Sequence, residues 1–427
     1  MKPAKDLVTE QAVKLGSRGV LVVGASVAGV RVARDLRRHG FDGRITIAGA
    51  EESFPYDKPP LSKQYLAGTF DAARIALIEP AEVEALRLDL RLGAKAVALS
   101  AHDRIVVDDA GRELAYDVCV VATGASARPS PWGGGKRVHL LRTLGDSDRL
   151  KAALAPDARV VVIGGGLIGS EVASTSAKLG AHVTVIDPLK SPMAKLAGED
   201  LAGVIESAHA RHGVRPLFGV GVAGLSDDSR SVTVRLTTGE EIEADLAVVG
   251  IGVSTNDAWL ASSGAETGQG VECDEYGRVL GLAGVYAAGD VARWPRPPLG
   301  TPQRVEHWTN AVEQAATVAY NIVHQGSLVA NKPTDYMWSD QYDLKLQVVG
   351  WPALSTLHCV IGEPSALPPR FAALFADERN ALSAAVTVNW PRALAECRRL
   401  LDESADVVAA RDRLEALHRP PPSQVSS

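Results

Sequence analysis

The chain has 427 residues, 46% of them hydrophobic and 22% charged, an ordinary composition for a globular protein of several domains at about 100–200 residues each. A formal net charge of -6 and a pI of about 6.0 argue against a global basic surface, so nucleic-acid binding is not expected. No apolar run approaches the roughly 20 residues that span a bilayer, and the N-terminus lacks the apolar core of a signal peptide. We therefore expect no membrane association and a cytoplasmic location.

The first predicted unit combines a glycine turn with two strands and a helix. Residues 20–23 (VLVV) have the pattern of a buried parallel strand. The turn at 24–29 leads into a helix over 30–39, which Gly40 ends. Residues 44–48 form the next strand. This order predicts a complete βαβ unit.

The same order recurs further along the chain. Residues 159–163 predict a strand, 164–169 a glycine turn and 170–179 a helix. The strand at 182–186 follows and ends at Asp187. Two copies of one nucleotide-binding unit are therefore the main feature of the chain's organisation.

The remaining sequence adds a third glycine-bearing strand end and a different C-terminal part. Residues 284–290 form that strand end, and 309–325 predict a helix. From about residue 332 aromatic residues cluster and alternating strands appear. Residues 391–417 predict helix. A separate C-terminal domain follows from this change in composition.

The second glycine turn meets each requirement of a dinucleotide site. A pyrophosphate needs backbone N–H donors and the positive end of a helix dipole, and glycine allows its close approach. Gly164, Gly166 and Gly169 supply that turn, and Asp187 follows twenty-three residues after Gly164, where an acid binds ribose hydroxyls. The turn also lies between a predicted strand and a predicted helix, which makes the motif specific.

The first turn departs from the pattern at its middle position. Gly24 and Gly29 are in place, but Ser26 replaces the middle glycine. Its hydroxyl is small and is itself able to bond a phosphate oxygen. Glu51 is the expected ribose ligand, with Glu52 as the competing candidate.

Six further motifs accompany the two glycine turns along the chain. They are Pro55–Lys63, Ala122–Gly124, Gly250–Gly252, Ala288–Asp290, Arg304–Ala311 and Tyr336–Gln341. Together with the turns, these motifs resemble those of the ferredoxin reductases, FAD-containing components that feed bacterial Rieske oxygenases and cytochrome P-450 systems. The resemblance covers about residues 20–400, with the motifs in the family's order.

The resemblance implies an α/β fold with two Rossmann-like dinucleotide-binding domains, the NAD domain inserted into the FAD domain, and a C-terminal α+β domain. It implies that the first turn binds FAD and the second binds NAD(P)H. The predicted boundaries are 18–122 and 255–331 for the FAD domain, 123–254 for the NAD(P) domain and 332–427 for the C-terminal domain.

The resemblance also implies a set of FAD-binding residues. Fixed positive charge at two lysines suits the pyrophosphate and the reduced flavin, the alternative being a solvated loop. The assigned residues are Gly24, Ser26, Gly29 and Glu51 for the pyrophosphate and ribose, Lys58 and Lys63 for the pyrophosphate and flavin, Thr123, Gly124 and Arg128 for the segment under the cofactor, Asp290 for the ribityl chain, and Trp308 and Trp338 beside the flavin ring.

A second set is implied for the nicotinamide dinucleotide. Asp187 repels a 2′-phosphate and so favours NADH over NADPH, a preference that Lys190 and Lys195 partly offset. The alternative for Glu171 is an acid that only complements the helix dipole, and for Trp338 a core residue. The predicted catalytic residues, which act mainly by positioning, are Lys63, Glu171 and Trp338. The NAD(P) contacts are Gly166, Leu167, Ile168, Gly169, Glu171, Asp187, Lys195 and Gly252.

The cysteines limit the route of the electrons. They are Cys119, Cys273, Cys359 and Cys397, without a CxxC pair or a metal spacing, so we expect free thiols and no bound metal. No cysteine precedes Cys119, which excludes the early disulfide of glutathione-reductase-like relatives. A cluster needs about four thiolates, so the iron–sulfur centre is expected on a partner, a [2Fe–2S] or related ferredoxin.

Alternatives remain open for the acceptor and for its docking surface. Rubredoxin, a quinone or oxygen are the other acceptors, and a redox-sensing flavoprotein of the apoptosis-inducing-factor type is a different class of function. Ferredoxins are usually acidic, so a basic docking patch is predicted, with scattered solvated arginines as the alternative. Its candidates are Arg293, Arg296, Arg304, Arg392, Arg398 and Arg399.

Overall fold

The structure is a computed structural model that describes residues 18–193, 199–228, 230–296 and 299–418. It is a mixed α/β protein, so the predicted fold class is confirmed. The α-helices are α1 (Val27–Arg38), α2 (Pro80–Ala85), α3 (Leu144–Ala153), α4 (Leu167–Lys178), α5 (Glu199–Arg211), α6 (Trp308–Val323), α7 (Pro391–Asp402) and α8 (Val407–His418).

Short 3-10 helices lie at Pro59–Ser62, Ala258–Ser263 and Pro352–Leu354. The strands are numbered in chain order. They are β1 (Val20–Val23), β2 (Ile45–Ala48), β3 (Leu88–Arg91), β4 (Ala96–Ser100), β5 (Ile105–Asp108), β6 (Glu113–Ala115), β7 (Val118–Val121), β8 (Ala125–Ala127), β9 (Val138–His139), β10 (Arg159–Ile163), β11 (His182–Asp187), β12 (Arg215–Phe218), β13 (Val222–Asp227), β14 (Val232–Leu236), β15 (Glu241–Ala244), β16 (Leu246–Val249), β17 (Val253–Thr255), β18 (Val271–Glu272), β19 (Val285–Ala287), β20 (Ala292–Arg293), β21 (Tyr336–Gln341), β22 (Leu344–Gly350), β23 (Thr356–Glu363), β24 (Arg370–Ala376) and β25 (Leu382–Val388).

The chain forms two compact units. One contains the described residues up to 57 together with 76–126 and 254–333, and the other contains 58–75, 127–253 and the described residues from 334 onward. The domain boundaries derived from the sequence stay a prediction.

The first unit is built on a parallel sheet in the order β19-β7-β1-β2-β3. Its central strand β1 (VLVV) is fully buried, as expected for a strand covered on both faces. Val20 aligns with Ile45 on one side and with Val118 on the other, which places the ends of three strands side by side. This unit also contains a three-stranded antiparallel sheet in the order β4-β5-β6.

The second unit repeats the arrangement and adds another sheet. A parallel sheet in the order β12-β11-β10-β16-β9 has the buried strand β10 at its centre. An antiparallel sheet in the order β13-β14-β15 is formed by the segment between β12 and β16. The C-terminal part is an antiparallel sheet in the order β21-β22-β25-β24-β23. One face packs against α7 and α8 around Trp390, and the other belongs to the core that includes Val172 of α4.

Candidate functional site

The first glycine turn connects β1 to α1. Gly24 has a φ of +125°, and a Cβ there would lie 2.1 Å from the Ala122 carbonyl oxygen, so a larger residue does not fit. A Cβ on Gly29 would lie 1.9 Å from the Gly24 oxygen. Ser26 is the N-cap of α1 but makes no side-chain cap bond, and the first turn contains no acid. The first amides of α1 therefore suit an anion such as a pyrophosphate.

Two adjacent carboxylates follow β2, and the structure distinguishes them. Glu51 is half-buried, and its Oε2 accepts a hydrogen bond from Tyr56 Oη at 2.5 Å, whereas Glu52 is exposed. A Cβ on Gly49 would lie 2.6 Å from Ala25 Cβ, so the end of β2 packs directly against the turn. These contacts favour Glu51 over Glu52, and its ribose role stays a prediction.

The second glycine turn follows β10 and opens α4. Gly164 has a φ of +109°, and its Cβ would lie 2.2 Å from the Gly250 oxygen. A Cβ on Gly169 would lie 1.8 Å from the Gly164 oxygen. At Gly166, the N-cap, a Cβ would meet nothing within 4 Å. The fold therefore requires the outer two glycines, whereas the open space at Gly166 fits the close approach of a ligand.

The end of β11 is tied to this turn by Asp187. The residue is 8% exposed, and its two carboxylate oxygens accept the backbone N–H groups of Gly165 and Leu189, each at 2.8 Å. Beside it, Leu167 is half-buried and Ile168 is 46% exposed at the start of α4. The turn, the acid and a partly exposed apolar surface thus lie close together at the start of α4, and their ligand roles stay predictions.

A buried ion pair lies inside the second unit. Lys63 Nζ donates to Glu171 Oε2 at 2.8 Å, and the side chains are 11% and 4% exposed. Ser62 Oγ donates to the same oxygen at 2.5 Å, and Ser339 Oγ donates to Oε1 at 2.7 Å. Lys63 is therefore not a solvated loop residue, and Glu171 does more than complement a helix dipole.

The segment predicted to pass under the flavin cofactor is held in the first unit. Thr123 Oγ1 donates to the Asn256 backbone oxygen at 2.6 Å, and Asn256 Nδ2 donates to the Thr123 oxygen at 2.9 Å. The Asn256 N–H donates to the oxygen of Gly124, whose φ is +65°. This reciprocal set fixes the backbone that follows β7.

Two more predicted residues of the flavin site are Trp308, which begins α6, and Asp290, which lies between β19 and β20. Trp308 is 37% exposed, and its Nε1 donates to Asp57 Oδ1 at 2.9 Å. Asp290 is half-buried. Burial lowers the pKa of the neighbouring His307 to about 4, although the negative charge of Asp290 opposes the shift. His307 is therefore neutral at physiological pH.

Three other predicted cofactor residues, Lys58, Arg128 and Gly252, lie in the second unit. Lys58 Nζ donates to the Arg142 oxygen at 3.4 Å. The backbone N–H of Arg128, an exposed residue, donates to the oxygen of Gly252 at 3.0 Å. Lys195 lies outside the described residues.

Trp338 lies half-buried on β21, so it is not a fully enclosed core residue. Its ring stacks on that of Tyr336, with centroids 5.9 Å apart and an interplanar angle of 18°. The Arg398 guanidinium lies 5.4 Å from the Tyr336 ring centroid. Trp338, the residue that the sequence predicts next to the flavin, is therefore accompanied by a second aromatic ring, that of Tyr336, and by the cation of Arg398.

The predicted basic docking patch needs correction. Arg296 is only 2% exposed, so it lies inside the protein and offers no charge to a partner. Arg293 is paired with Glu272 at 3.2 Å, and Arg304 is paired with Glu306. The prediction is wrong for Arg296, and acids neutralise the other two arginines of this segment.

The arginines of α7 behave differently from one another. Arg399 pairs with Glu396 on its own helix and with Glu403, the residue that directly follows the helix. Arg392 and Arg398 are exposed. These two remain as candidates for a basic docking surface.

Sequence reasoning missed several residues around Glu171. Ser62, Ser339 and Gln341 were not selected, because nothing local distinguishes them from other polar residues. One signal was available on α4, where Glu171 and Ser174 share a helical face. That polar face is typical of solvent exposure, but both residues are buried, at 3% and 2% exposure.

The cysteines are free and poorly reactive. Cys119, Cys273 and Cys397 are buried, and burial raises the pKa of each thiol, that of Cys397 to about 12. Burial also raises the pKa of Cys359, which is half-buried. Within the described residues, no group of three or more histidine, cysteine or acidic side chains is arranged to hold a metal ion. None of the helices in the described ranges combines the length and the apolar composition that a membrane span requires.

Comparison with known proteins agrees with these features. Residues 18–315 match the model of the pyridine nucleotide-disulphide oxidoreductase family, and residues 336–417 match a reductase C-terminal domain. The chain is 35% identical over 390 residues, 91% of its length and 94% of the relative, to the ferredoxin–NAD(+) reductase component of the p-cumate 2,3-dioxygenase system of Pseudomonas putida. It is 36% identical to rhodocoxin reductase of Rhodococcus erythropolis over 80% of each protein.

A solved structure shares the whole architecture. Putidaredoxin reductase, in its covalent complex with putidaredoxin, has a TM-score of 0.85 and 29% identity, covering 94% of this chain and 99% of its own. The chain therefore belongs to the pyridine nucleotide-disulphide oxidoreductase family and, within it, to the ferredoxin reductases of bacterial oxygenase systems, flavoproteins that use a nicotinamide dinucleotide.

Proposed function

We propose that this chain takes hydride from NADH onto FAD and passes electrons singly to an iron–sulfur ferredoxin, which supplies a Rieske or cytochrome P-450 oxygenase. The observation that carries the proposal is the presence of two separate glycine turns. Each opens a helix without a side-chain cap, and each has its own acid after the second strand. One chain thus has the elements to hold two dinucleotides at once.

The relatives support this acceptor. The Pseudomonas putida relative is a ferredoxin–NAD(+) reductase component of a dioxygenase system, and the solved reductase forms a complex with putidaredoxin. When bound, FAD accepts a hydride and releases single electrons, the chemistry required between NADH and a one-electron cluster. The four thiols are poorly suited to relay electrons because burial favours their protonated form.

The chain's own residues supply position and charge. Gly24, Ser26 and Gly29 let the FAD pyrophosphate approach the amides of α1. Lys63 offers a fixed positive charge, which favours the added negative charge of a reduced flavin. Glu171 fixes the position of that ammonium group at 2.8 Å. No general acid or base is required for hydride transfer, because correct positioning of the cofactors is sufficient.

The preference for NADH rests on Asp187. Both of its carboxylate oxygens accept backbone N–H groups, which fix the position of this negatively charged side chain at the end of β11. That charge repels the 2′-phosphate of NADPH. Asp187→Ala should lower kcat/KM for NADH about tenfold and narrow the ratio of NADH to NADPH activity. Asp245→Ala, which removes a carboxylate at the opposite end of the same sheet, is the matched control.

The proposal is tested on the purified full-length chain. We expect a yellow protein with one bound FAD. In the absence of oxygen, NADH should bleach this colour, and the reduced protein should then reduce a [2Fe–2S] ferredoxin. Protein that stays colourless after incubation with FAD would overturn the proposal. Protein that NADH reduces, but that passes electrons only to a quinone, to rubredoxin or to oxygen, would overturn the ferredoxin assignment.

A further inference from the structure

Helix α4 presents a polar face to the C-terminal sheet within the second unit. Three of its residues, Glu171, Ser174 and Lys178, follow helical spacing and contact one hairpin, β21–β22. Ser339 Oγ donates to Glu171 at 2.7 Å, and the Tyr342 N–H donates to Ser174 Oγ at 2.6 Å. Lys178 Nζ donates to the Tyr342 oxygen at 2.8 Å. These bonds fix the position of the hairpin along the helix.

The carboxylate of Glu171 is bonded differently at its two oxygens. Oε2 accepts from Ser62 at 2.5 Å and from Lys63 at 2.8 Å, whereas Oε1 accepts from Ser339 at 2.7 Å. Ser62, Glu171 and Ser339 are 2%, 3% and 0% exposed. A buried carboxylate needs donors at both oxygens, so Ser339 completes the set that makes its burial tolerable.

Gln341 sets the direction of the hydrogen bond from Ser339. Its Nε2 donates to Ser339 Oγ at 3.1 Å, so the serine oxygen acts as acceptor there and its O–H is available for Glu171. Gln341 is 1% exposed, and its Oε1 has no hydrogen-bond partner among the described residues. With the amide reversed, that oxygen would compete with Glu171 for the serine proton. The observed orientation therefore leaves the serine O–H directed at Glu171 Oε1.

We propose that Ser339 and Gln341 are positioning residues for the Lys63–Glu171 pair, acting through a directed chain of hydrogen bonds from β21. The inference rests on the proposed function, because the pair matters for the reaction only when FAD is bound. Neighbouring residues on a strand point to opposite faces, so Trp338 lies on the other side of β21 from Ser339. One strand thus sets the positions of two of the three predicted catalytic residues, Glu171 and Trp338.

The experiment replaces Ser339 and measures more than turnover. Ser339→Ala removes the donor to Glu171 Oε1, so the negative charge of the carboxylate is less screened. We expect the midpoint potential of bound FAD to shift to more negative values. The stopped-flow rate constant of hydride transfer should fall about tenfold, the equivalent of one lost charge-assisted hydrogen bond. The dissociation constant of NADH should not change.

Three further variants separate positioning from general stability. Ser339→Thr keeps the hydroxyl and should restore the potential, and Gln341→Leu should shift it in the same direction as Ser339→Ala. Ser174→Ala is the matched control, because it removes a hydroxyl from the same helix–hairpin contact without touching Glu171. It should lower the melting temperature and leave the potential at the wild-type value.

The outcomes distinguish this inference from the proposed function. If wild-type protein fails to bind FAD or is not reduced by NADH, the proposed function fails. If wild-type protein is active and Ser339→Ala and Gln341→Leu keep its potential and rate, only the positioning inference is overturned. A shift of the same size in Ser174→Ala would also overturn it, because the effect would then follow from loosened packing.

Discussion

Lys63 Nζ lies 2.8 Å from Glu171 Oε2, although 108 positions separate the two residues in the chain. Both side chains are nearly enclosed, so each charge has lost most of its hydration. Their attraction and the hydroxyls of Ser62 and Ser339 offset that loss. The pair therefore depends on every member of the set being in place.

Removing one partner of the pair should destabilise the protein strongly. Glu171→Ala leaves the ammonium of Lys63 buried without a counter-charge, so the free energy of unfolding should fall by about 3–5 kcal/mol, as measured by urea titration. Glu403→Ala is the control, because Glu403 pairs with Arg399 on the surface and its loss should cost at most about 1 kcal/mol. Equal losses in the two variants would show that the Lys63–Glu171 pair is effectively solvated.

The glycines of the second turn should respond differently to alanine. Gly164→Ala forces a side chain to within 2.2 Å of the Gly250 oxygen at a φ of +109°, so it should cost several kcal/mol of stability. Gly166→Ala meets nothing within 4 Å, so the melting temperature should stay near the wild-type value. It should instead raise the KM for NADH about tenfold. Unchanged NADH binding in Gly166→Ala would contradict the proposal that the NADH pyrophosphate binds next to Gly166.

Acid should destabilise the protein through His209. Burial lowers the pKa of this histidine from its ordinary value of 6.5 to about 4, and its Nδ1 lies 2.6 Å from Tyr342 Oη. Between these values the unfolded chain binds more protons, so stability is fully present above pH 6.5 and is lost as the pH falls toward 4. The loss reaches about 3 kcal/mol.

Urea titrations between pH 7 and pH 4 measure this effect. His209→Gln should flatten part of the acid slope, and His307, whose pKa burial also lowers to about 4, should account for a further part. His102→Gln, at an exposed ring, should leave the slope as it is. A wild-type slope in His209→Gln would contradict the assignment.

Docking of ferredoxin should depend on α7. Arg392→Glu reverses an exposed charge, so the KM for an acidic ferredoxin should rise about tenfold at low ionic strength, with a smaller rise in added salt. Reduction of ferricyanide should be unaffected. Arg411→Glu, at an arginine already paired with Asp412 on α8, is the matched control. An equal loss of ferredoxin and ferricyanide reduction in Arg392→Glu would exclude a docking role.

The local parts of the fold were predictable because their causes are local. The turns at Gly24 and Gly164 could be recognised from their glycines. Glycine is required there because the backbone adopts a positive φ and other backbone atoms approach closely. Each follows an apolar strand and opens a helix, so the βαβ units could be placed from residue order. The acid Asp187 was predictable for the same reason, since it ends the strand that returns to its turn.

The surroundings of Glu171 could not be predicted in this way. Its contacts come from Lys63 and from Ser339, which lie more than a hundred positions away on either side. The polar face of α4 suggests solvent exposure, but Ser174 on that face is buried. Arg296 is the converse case, because nothing in its Pro/Arg-rich neighbourhood indicates that the side chain is enclosed.

By itself the sequence determined that this chain has two glycine turns for dinucleotides and no cysteine pair for a disulfide relay, since both depend on residue type and short spacing. Only the tertiary structure decided which charges meet, which hydroxyls support them and which arginines remain exposed. The physical reason is that burial and ion pairing are set by how distant elements pack, and hydrogen-bond partners across such contacts leave no periodic trace in the sequence.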